Sequence, residues 1–310
     1  MNSSRIAELE RLATALAGGA ALELYLTPKP GLVDLADHGS HPDLSLAVME
    51  RSIRIVAAYL DELVGSLVAG EPFLYQKKIG LRTEQYLLQS LGTNTHKGYV
   101  FLSGMLLIAS WRAVSADENA VREALLALAG LFFRAGEQGS SHGRQAREKY
   151  GTGGIVQETR LGFPSVFDQA LPAFRASIRR QADFGEASFA MLARLMQTVD
   201  DTTTLHRGGP AGLARIKRDG HRLERLIACG DDYPAFLRAT NSAYIRMNLT
   251  MGGVADMLAL AYGYLLASGE IAENTLDRLG VAPAILTSGS IANANQPYAD
   301  NRFGRFTLET

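Results

Sequence analysis

Apolar positions recur along most of this chain at helical spacing. Near the N-terminus Ile6, Leu9, Leu12, Ala13 and Leu16 trace one face of a helix, with Ser3 and Ser4 ahead of it as N-cap residues. A second helix is expected over about 44–68, with Leu46, Met49, Ile53, Val56, Leu60, Leu63 and Leu67 inward. Further helices are expected near 81–90, 95–112, 118–135, 140–149, 165–181, 187–199, 210–228, 233–248 and 254–267. No alternating run of strand-like residues lies between them, and Leu and Ala outweigh Val and Ile. The pattern predicts an all-α protein: one large multi-helix domain over 1–290, with functional loops at helix ends. The Asn-rich residues 291–310 lose the periodicity and read as an irregular tail.

Composition narrows the class. The chain has 310 residues, 47% of them hydrophobic, and its 31 Lys plus Arg against 32 Asp plus Glu give a net charge of -1. That balance argues against a nucleic-acid binder. The single Cys229 excludes an internal disulfide framework and a cysteine zinc cluster. No apolar run reaches the roughly 18–20 residues of a membrane span, and the first 26 residues carry charges inside their apolar stretch, unlike a signal peptide. A soluble cytoplasmic protein is the expectation, with no membrane partner; a homo-oligomer is left open.

Chemistry concentrates where helices begin and end. The first polar stretch, Thr27-Pro28-Lys29-Pro30-Gly31-Leu32-Val33-Asp34, is followed by His38-Gly39-Ser40-His41-Pro42-Asp43. Its prolines impose extended backbone, and Asp43 reads equally as the N-cap of the next helix. The second, Gly92-Thr93-Asn94-Thr95-His96-Lys97-Gly98, opens an apolar helix. Free N–H groups, the positive end of the helix dipole and Lys97 together suit a phosphate; an ordinary capped helix is the alternative. Glycines at 151–154 bring backbone close to something, a nucleotide or merely solvent, ahead of Glu158 and Gly162-Phe163-Pro164. Asp200-Asp201 precede Thr202-Thr203-Thr204-Leu205-His206-Arg207-Gly208-Gly209. Adjacent carboxylates suit Mg²⁺, and Arg207 suits a phosphate; a solvated loop after a helix C-terminus is the competing reading. In Met251-Gly252-Gly253-Val254-Ala255-Asp256 the aspartate falls in a first helical turn, where the dipole alone would stabilise it.

In this order the stretches resemble the triphosphoribosyl-dephospho-CoA synthase family, which builds the prosthetic-group precursor of citrate lyase and malonate decarboxylase. The resemblance rests on TPKPGLVD (27–34) with GSH-x-D (39–43), NTHKG (94–98), HG (142–143), YG..G...E...GFP (150–164), DT with HRGG (201–209) and GG-x-AD (252–256). It implies an all-α transferase that moves the triphosphoribosyl group of ATP onto the 2'-hydroxyl of dephospho-CoA and releases adenine, with Mg²⁺ as cofactor. Carried over to this chain, it implies a nucleotide- and phosphate-binding set of Lys29, Asn94, Thr95, His96, Lys97, Gly98, His142, Arg207 and Gly208. The implied catalytic set is Asp34, Glu158, Asp43 and His41, and the implied metal ligands are Asp201, Asp256 and Asp200. Among them Glu158 is placed to stabilise an oxocarbenium-like ribose.

The chain departs from the family pattern at Ile155-Val156, Thr159, Leu44-Ser45 and Asn248-Leu249-Thr250-Met251. Val156 stands where the family carries an arginine. These departures leave three alternatives beside the family reaction: another cofactor-precursor acceptor on the same ATP site, a catalytically weakened nucleotide-binding paralogue, and a helical metal hydrolase acting on nucleotides.

Overall fold

The computed structural model describes residues 3–93, 95–134, 145 and 149–286. Helices carry almost all of it, and no strand occurs among the described residues. In chain order they are α1 (Ser3–Tyr25), α2 (Leu46–Val68), α3 (Phe73–Leu91), α4 (Lys97–Arg112), α5 (Glu118–Arg134) and α6 (Gly154–Arg160). A π-helix (Ser165–Ala170) runs into α7 (Leu171–Arg179), followed by α8 (Phe184–Thr198), α9 (Thr202–Cys229), α10 (Tyr233–Arg246), α11 (Gly252–Ala267) and the short α12 (Thr275–Arg278). The all-α expectation holds. The predicted helix at 140–149 and the tail 291–310 fall largely or wholly outside the described residues. None of the described helices is long and apolar enough to cross a membrane.

The core explains the order of packing. Residues 15–24 of α1 are buried on every side, as is most of α11, so these two apolar helices form the centre. They approach closely because Gly19 and Gly263 meet at the crossing. A Cβ on Gly19 would collide with the Ala259 carbonyl and the Gly263 backbone, and one on Gly263 would stand 2.9 Å from the Leu16 Cα. The crossing fixes the last turn of α1 relative to the first turns of α11. On α2 the predicted inward residues Ile53, Val56, Leu60, Leu63 and Leu67 are buried, while Leu46 and Met49 stay partly exposed.

Two boundaries differ from the sequence reading. Helix α3 begins at Phe73 rather than near 81, after Pro72. Exposed Leu74, Tyr75 and Leu81 blur the amphipathic signal there. Helix α9 begins at Thr202 rather than near 210, so HRGG is helical and not a loop. Gly209 (φ 59°, ψ -166°) breaks the helix for one residue, and Pro210 starts a second helical segment with the fixed φ suited to a first turn.

Candidate functional site

The TPKPGLVD segment is held by its own side chains. The Thr27–Pro28 peptide is cis. The Lys29 ammonium, 0% exposed, pairs with Glu23 at 2.6 Å and also donates to the Glu23 carbonyl. Asp34 gathers backbone N–H groups from Lys29 (2.7 Å), Ala36 (2.7 Å) and Asp37 (3.2 Å), which closes the turn. Gly31 adopts φ 71°, and a Cβ there would strike the Leu249 carbonyl. Its N–H donates to Asn241 of α10 at 2.9 Å. Lys29 and Asp34 therefore build the loop, whatever they do for a ligand.

A second set of contacts ties this loop to the later segments. The Ser40 hydroxyl donates to the Leu249 carbonyl (2.7 Å), and His41 Nε2 pairs with the Thr250 hydroxyl (2.8 Å). Arg207 donates to the Ser40 carbonyl (2.6 Å) and the Asn248 side-chain oxygen (3.2 Å), and its other nitrogen stands 3.3 Å from His41 Nδ1. Burial, and then the Arg207 charge, push the His41 pKa down to about 4. At Gly208 a Cβ would stand 2.6 Å from a Leu249 methyl group, so that side chain would have to shift to admit it. The departures from the family pattern are in use here: Asn248 meets Arg207 and Thr250 meets His41. Ser45 also has a role. It caps α2, accepting from the Val48 N–H at 3.3 Å, so Asp43 is not the N-cap. Asp43 instead accepts from the Thr93 hydroxyl, which holds its carboxyl below the usual range.

At the start of α4, His96 is 5% exposed, and its Nδ1 pairs with the Ser52 hydroxyl of α2 at 2.6 Å. Ser52 also meets Thr95. Burial and the nearby Lys29 charge lower the His96 pKa to about 4, so the ring is neutral at pH 7. Lys97 pairs with Glu84 of α3 at 3.0 Å and is half exposed. Gly98 exists for a neighbour: a Cβ there would overlap the Asp256 carboxylate, which also accepts the Tyr99 N–H. The first turn of α4 is thus already met by an acid from α11. Asn94 and His142 lie outside the described residues.

Asp201 does the same for two helices. It is 1% exposed, caps α9 by accepting the Thr204 N–H (2.8 Å), and accepts the Val254 N–H of α11 (2.9 Å). A solvated loop at a helix C-terminus does not describe it; the N-termini of α9 and α11 claim the carboxylate. Asp256 is the fifth residue of α11. Its pKa is raised well above the ordinary value by burial, Asp201 and Glu23, the reverse of dipole stabilisation. Burial also raises Asp201 and Glu23. Glu23 and Asp201 are buried and Asp256 is partly exposed; both acids push the Asp256 pKa up, and the Lys29 ammonium pairs with Glu23. Asp200 is paired with Lys217 at 2.6 Å. Among the described residues no three acidic, histidine or cysteine side chains are grouped as a complete metal-ligand set.

Glu158 on α6 accepts the Ser165 N–H (3.1 Å) and the Ser165 hydroxyl (2.5 Å). Ser165 is presented by an unusual turn: Phe163 is buried at φ 55°, and the π-helix begins two residues later. Burial is the main cause raising the Glu158 pKa, and Asp200 adds to it. Gly154 lies against Thr202, where a Cβ would stand 2.5 Å from its methyl group. The described parts of all five stretches therefore contact at least one other. A surface depression of about 330 Å³ between α9 and α10, lined by Arg215, Arg222 and Phe236, lies on other residues than these.

Sequence reasoning does not single out Glu23, Ser52, Asn241 or Ser165. Only Glu23 carried a signal, as a lone acid in the apolar run 20–26. The depressed histidines give a testable pH response. A neutral buried imidazole costs stability as pH falls, because the unfolded chain then takes up the proton more readily. Between about pH 6.5 and 4 the wild type should lose on the order of 3 kcal/mol more than His96→Gln does, from the difference between those two pKa values. Urea titrations across that window check this, and parallel curves for the two proteins would contradict it.

Comparison with known proteins adds the following. Residues 9–274 match the ATP:dephospho-CoA triphosphoribosyl transferase family. A 2-(5''-triphosphoribosyl)-3'-dephosphocoenzyme-A synthase of Klebsiella pneumoniae is 32% identical over 270 residues, covering 82% of this chain and 89% of that protein. A probable synthase of the same name from Vibrio cholerae serotype O1 (strain M66-2) is 32% identical, with 84% and 90% covered. One from Pseudomonas putida is 32% identical, with 83% and 94% covered. No solved structure matches the chain.

Proposed function

The chain belongs to the ATP:dephospho-CoA triphosphoribosyl transferase family, and on that premise we propose that it transfers the triphosphoribosyl group of ATP to the 2'-hydroxyl of dephospho-CoA. The hydroxyl oxygen forms the new bond to C1' of the ATP ribose, the C1'–adenine bond breaks, and a base takes the hydroxyl proton, which ends on the departing adenine. The observation that carries the reading is the group of three acids, Glu23, Asp201 and Asp256, at the meeting of α1, α4, α9 and α11. Glu23 and Asp201 both push the Asp256 carboxyl up, and a cation bound beside Asp256 would relieve that repulsion.

That donor set fits Mg²⁺, which takes few protein carboxylates and completes its shell with phosphate oxygens and water. Asp256, with Asp201 beside it, would hold the ion; Asp200, committed to Lys217, is the poorer ligand. Mg²⁺ would neutralise the triphosphate and orient it. Arg207, Gly208 and His41 from α9 and the first loop, with Lys97, Thr95 and His96 from α4, then provide the phosphate side. Asn94, Gly98 and His142 belong to the same proposed surface. Neutral His96 acts there as a hydrogen-bonding group, not a cation, and Lys29 acts from behind by orienting Glu23. Asp34 shapes the loop that carries these groups, and Asp43 lies at its end beside Thr93. Glu158, fixed by Ser165, is the carboxylate for the cationic ribose.

Incubation of the purified protein with ATP, Mg²⁺ and dephospho-CoA tests this. Free adenine and a product of the mass of triphosphoribosyl-dephospho-CoA are expected in equal amounts. Release of phosphate without adenine would replace the reading with a nucleotide hydrolase. Lys97→Ala, which removes a half-exposed charge paired with Glu84, should raise the KM for ATP roughly tenfold at little cost in stability. An unchanged KM would remove Lys97 from the phosphate set.

A further inference from the structure

A cavity of about 60 Å³ lies between α3 and α4, backed by α2 and α5. Tyr59, Gln76, Gly80, Val100, Gly104 and Phe132 line it. Two of these are glycines in helix interiors, where glycine costs helix stability. At Gly104 a Cβ would overlap the Tyr59 hydroxyl, whereas at Gly80 the nearest atom is that hydroxyl at 3.8 Å. Gly80 is thus not required by packing and leaves the cavity open.

One polar atom in this apolar lining lacks a partner. Gln76 is 4% exposed and donates from Nε2 to the Glu71 carbonyl at 3.0 Å. That bond fixes which end of the amide is which, and Oε1 is left buried with no hydrogen-bond partner among the described residues. Such an oxygen forfeits its hydration without return, so an N–H donor placed beside it would be favoured. The cavity also borders the proposed active site. Glu84, which holds Lys97 at the first turn of α4, is part of its rim.

We propose that this cavity receives the far end of the acceptor's arm, a secondary amide whose N–H donates to Gln76 Oε1 and whose short apolar tail fills the space left by Gly80. The proposal rests on the reading above, in which the acceptor is dephospho-CoA. The pantetheine arm of that molecule ends in an amide, two methylene groups and a thiol. The volume is about twice one water's share of the liquid, which admits the terminal atoms of such a tail and excludes a ring. Adenosine and triphosphate chemistry would stay at the α4, α9 and α11 termini while the arm passes Lys97.

Two variants test it in the full-length protein: Gln76→Leu, which removes the orphan oxygen, and Gly80→Met, which fills the cavity from a position with room for a Cβ. Dephospho-CoA binding is measured calorimetrically, alongside the KM for ATP and the melting temperature. Both variants should bind dephospho-CoA about tenfold more weakly, the worth of one ordinary buried hydrogen bond or a lost apolar contact, with the KM for ATP and the melting temperature retained. Equal affinity in both variants and wild type would overturn the proposal while leaving the transferase reading intact. So would a loss of ATP affinity in step with dephospho-CoA, which indicates general damage. Failure of the wild type itself to bind dephospho-CoA would overturn both.

Discussion

Asp256→Asn should lower the rate of adenine release on the order of 10²- to 10⁴-fold, the range for removing a group engaged in the reacting centre, and should raise the Mg²⁺ concentration needed. It should do so without unfolding the protein. The asparagine can still accept the Tyr99 N–H, and no new volume enters against Gly98. The sign of the stability change distinguishes this from structural damage. Burial, Asp201 and Glu23 hold the Asp256 pKa well above its ordinary value, so at neutral pH its ionised form costs the folded state free energy. Asparagine removes that cost, and the melting temperature should hold or rise. A lower melting temperature with adenine release retained would show that Asp256 merely caps α4. The same substitution at Asp201 should behave differently: this carboxylate joins the first turns of α9 and α11, so Asp201→Asn should destabilise as well as inactivate.

Gly19→Ala should be the most damaging small substitution in the core, at about 3 kcal/mol. The added methyl would meet backbone, the Ala259 carbonyl and Gly263, so no side-chain rotation relieves it; α1 and α11 must part. Since α1 carries Glu23 and α11 carries Asp256, activity should fall with stability. Gly65→Ala is the control. It lies on the exposed face of α2, where a Cβ meets nothing within 4 Å, and should be neutral or stabilising. Thermal unfolding of the two variants measures the contrast, expected at roughly 5–10 °C for Gly19→Ala. Similar melting temperatures for both would show that the crossing adjusts.

Much of the fold was legible because helix periodicity is a local property. Ile53, Val56, Leu60, Leu63 and Leu67 declare an inward face without reference to anything outside α2. The pattern failed where tertiary context outweighed it. Exposed leucines on α3 hide its first turns, and Gly208-Gly209-Pro210 reads as a loop before a helix from 210, although the helix already runs from Thr202 and only kinks there. Site residue types were visible as polar clusters at helix ends, but their partners were not. Nothing near position 256 in the sequence shows that Gly98 is small to admit its carboxylate, or that Ser52 on α2 holds His96. Likewise Asp200 and Asp201 look equivalent as neighbours. One faces Lys217, and the other is buried between two helix termini. Such distinctions arise from long-range packing.

The central claim is that the ends of α4, α9 and α11 and the loop after α1 hold one metal-bound triphosphate. Its most direct test is a crystal structure with Mn²⁺ and a non-transferable ATP analogue, with the anomalous signal locating the ion. The signal should fall within coordination distance of the Asp256 carboxylate, with the phosphates between Arg207 and Lys97. An ion and phosphates bound away from Asp256 and Arg207 would contradict the claim.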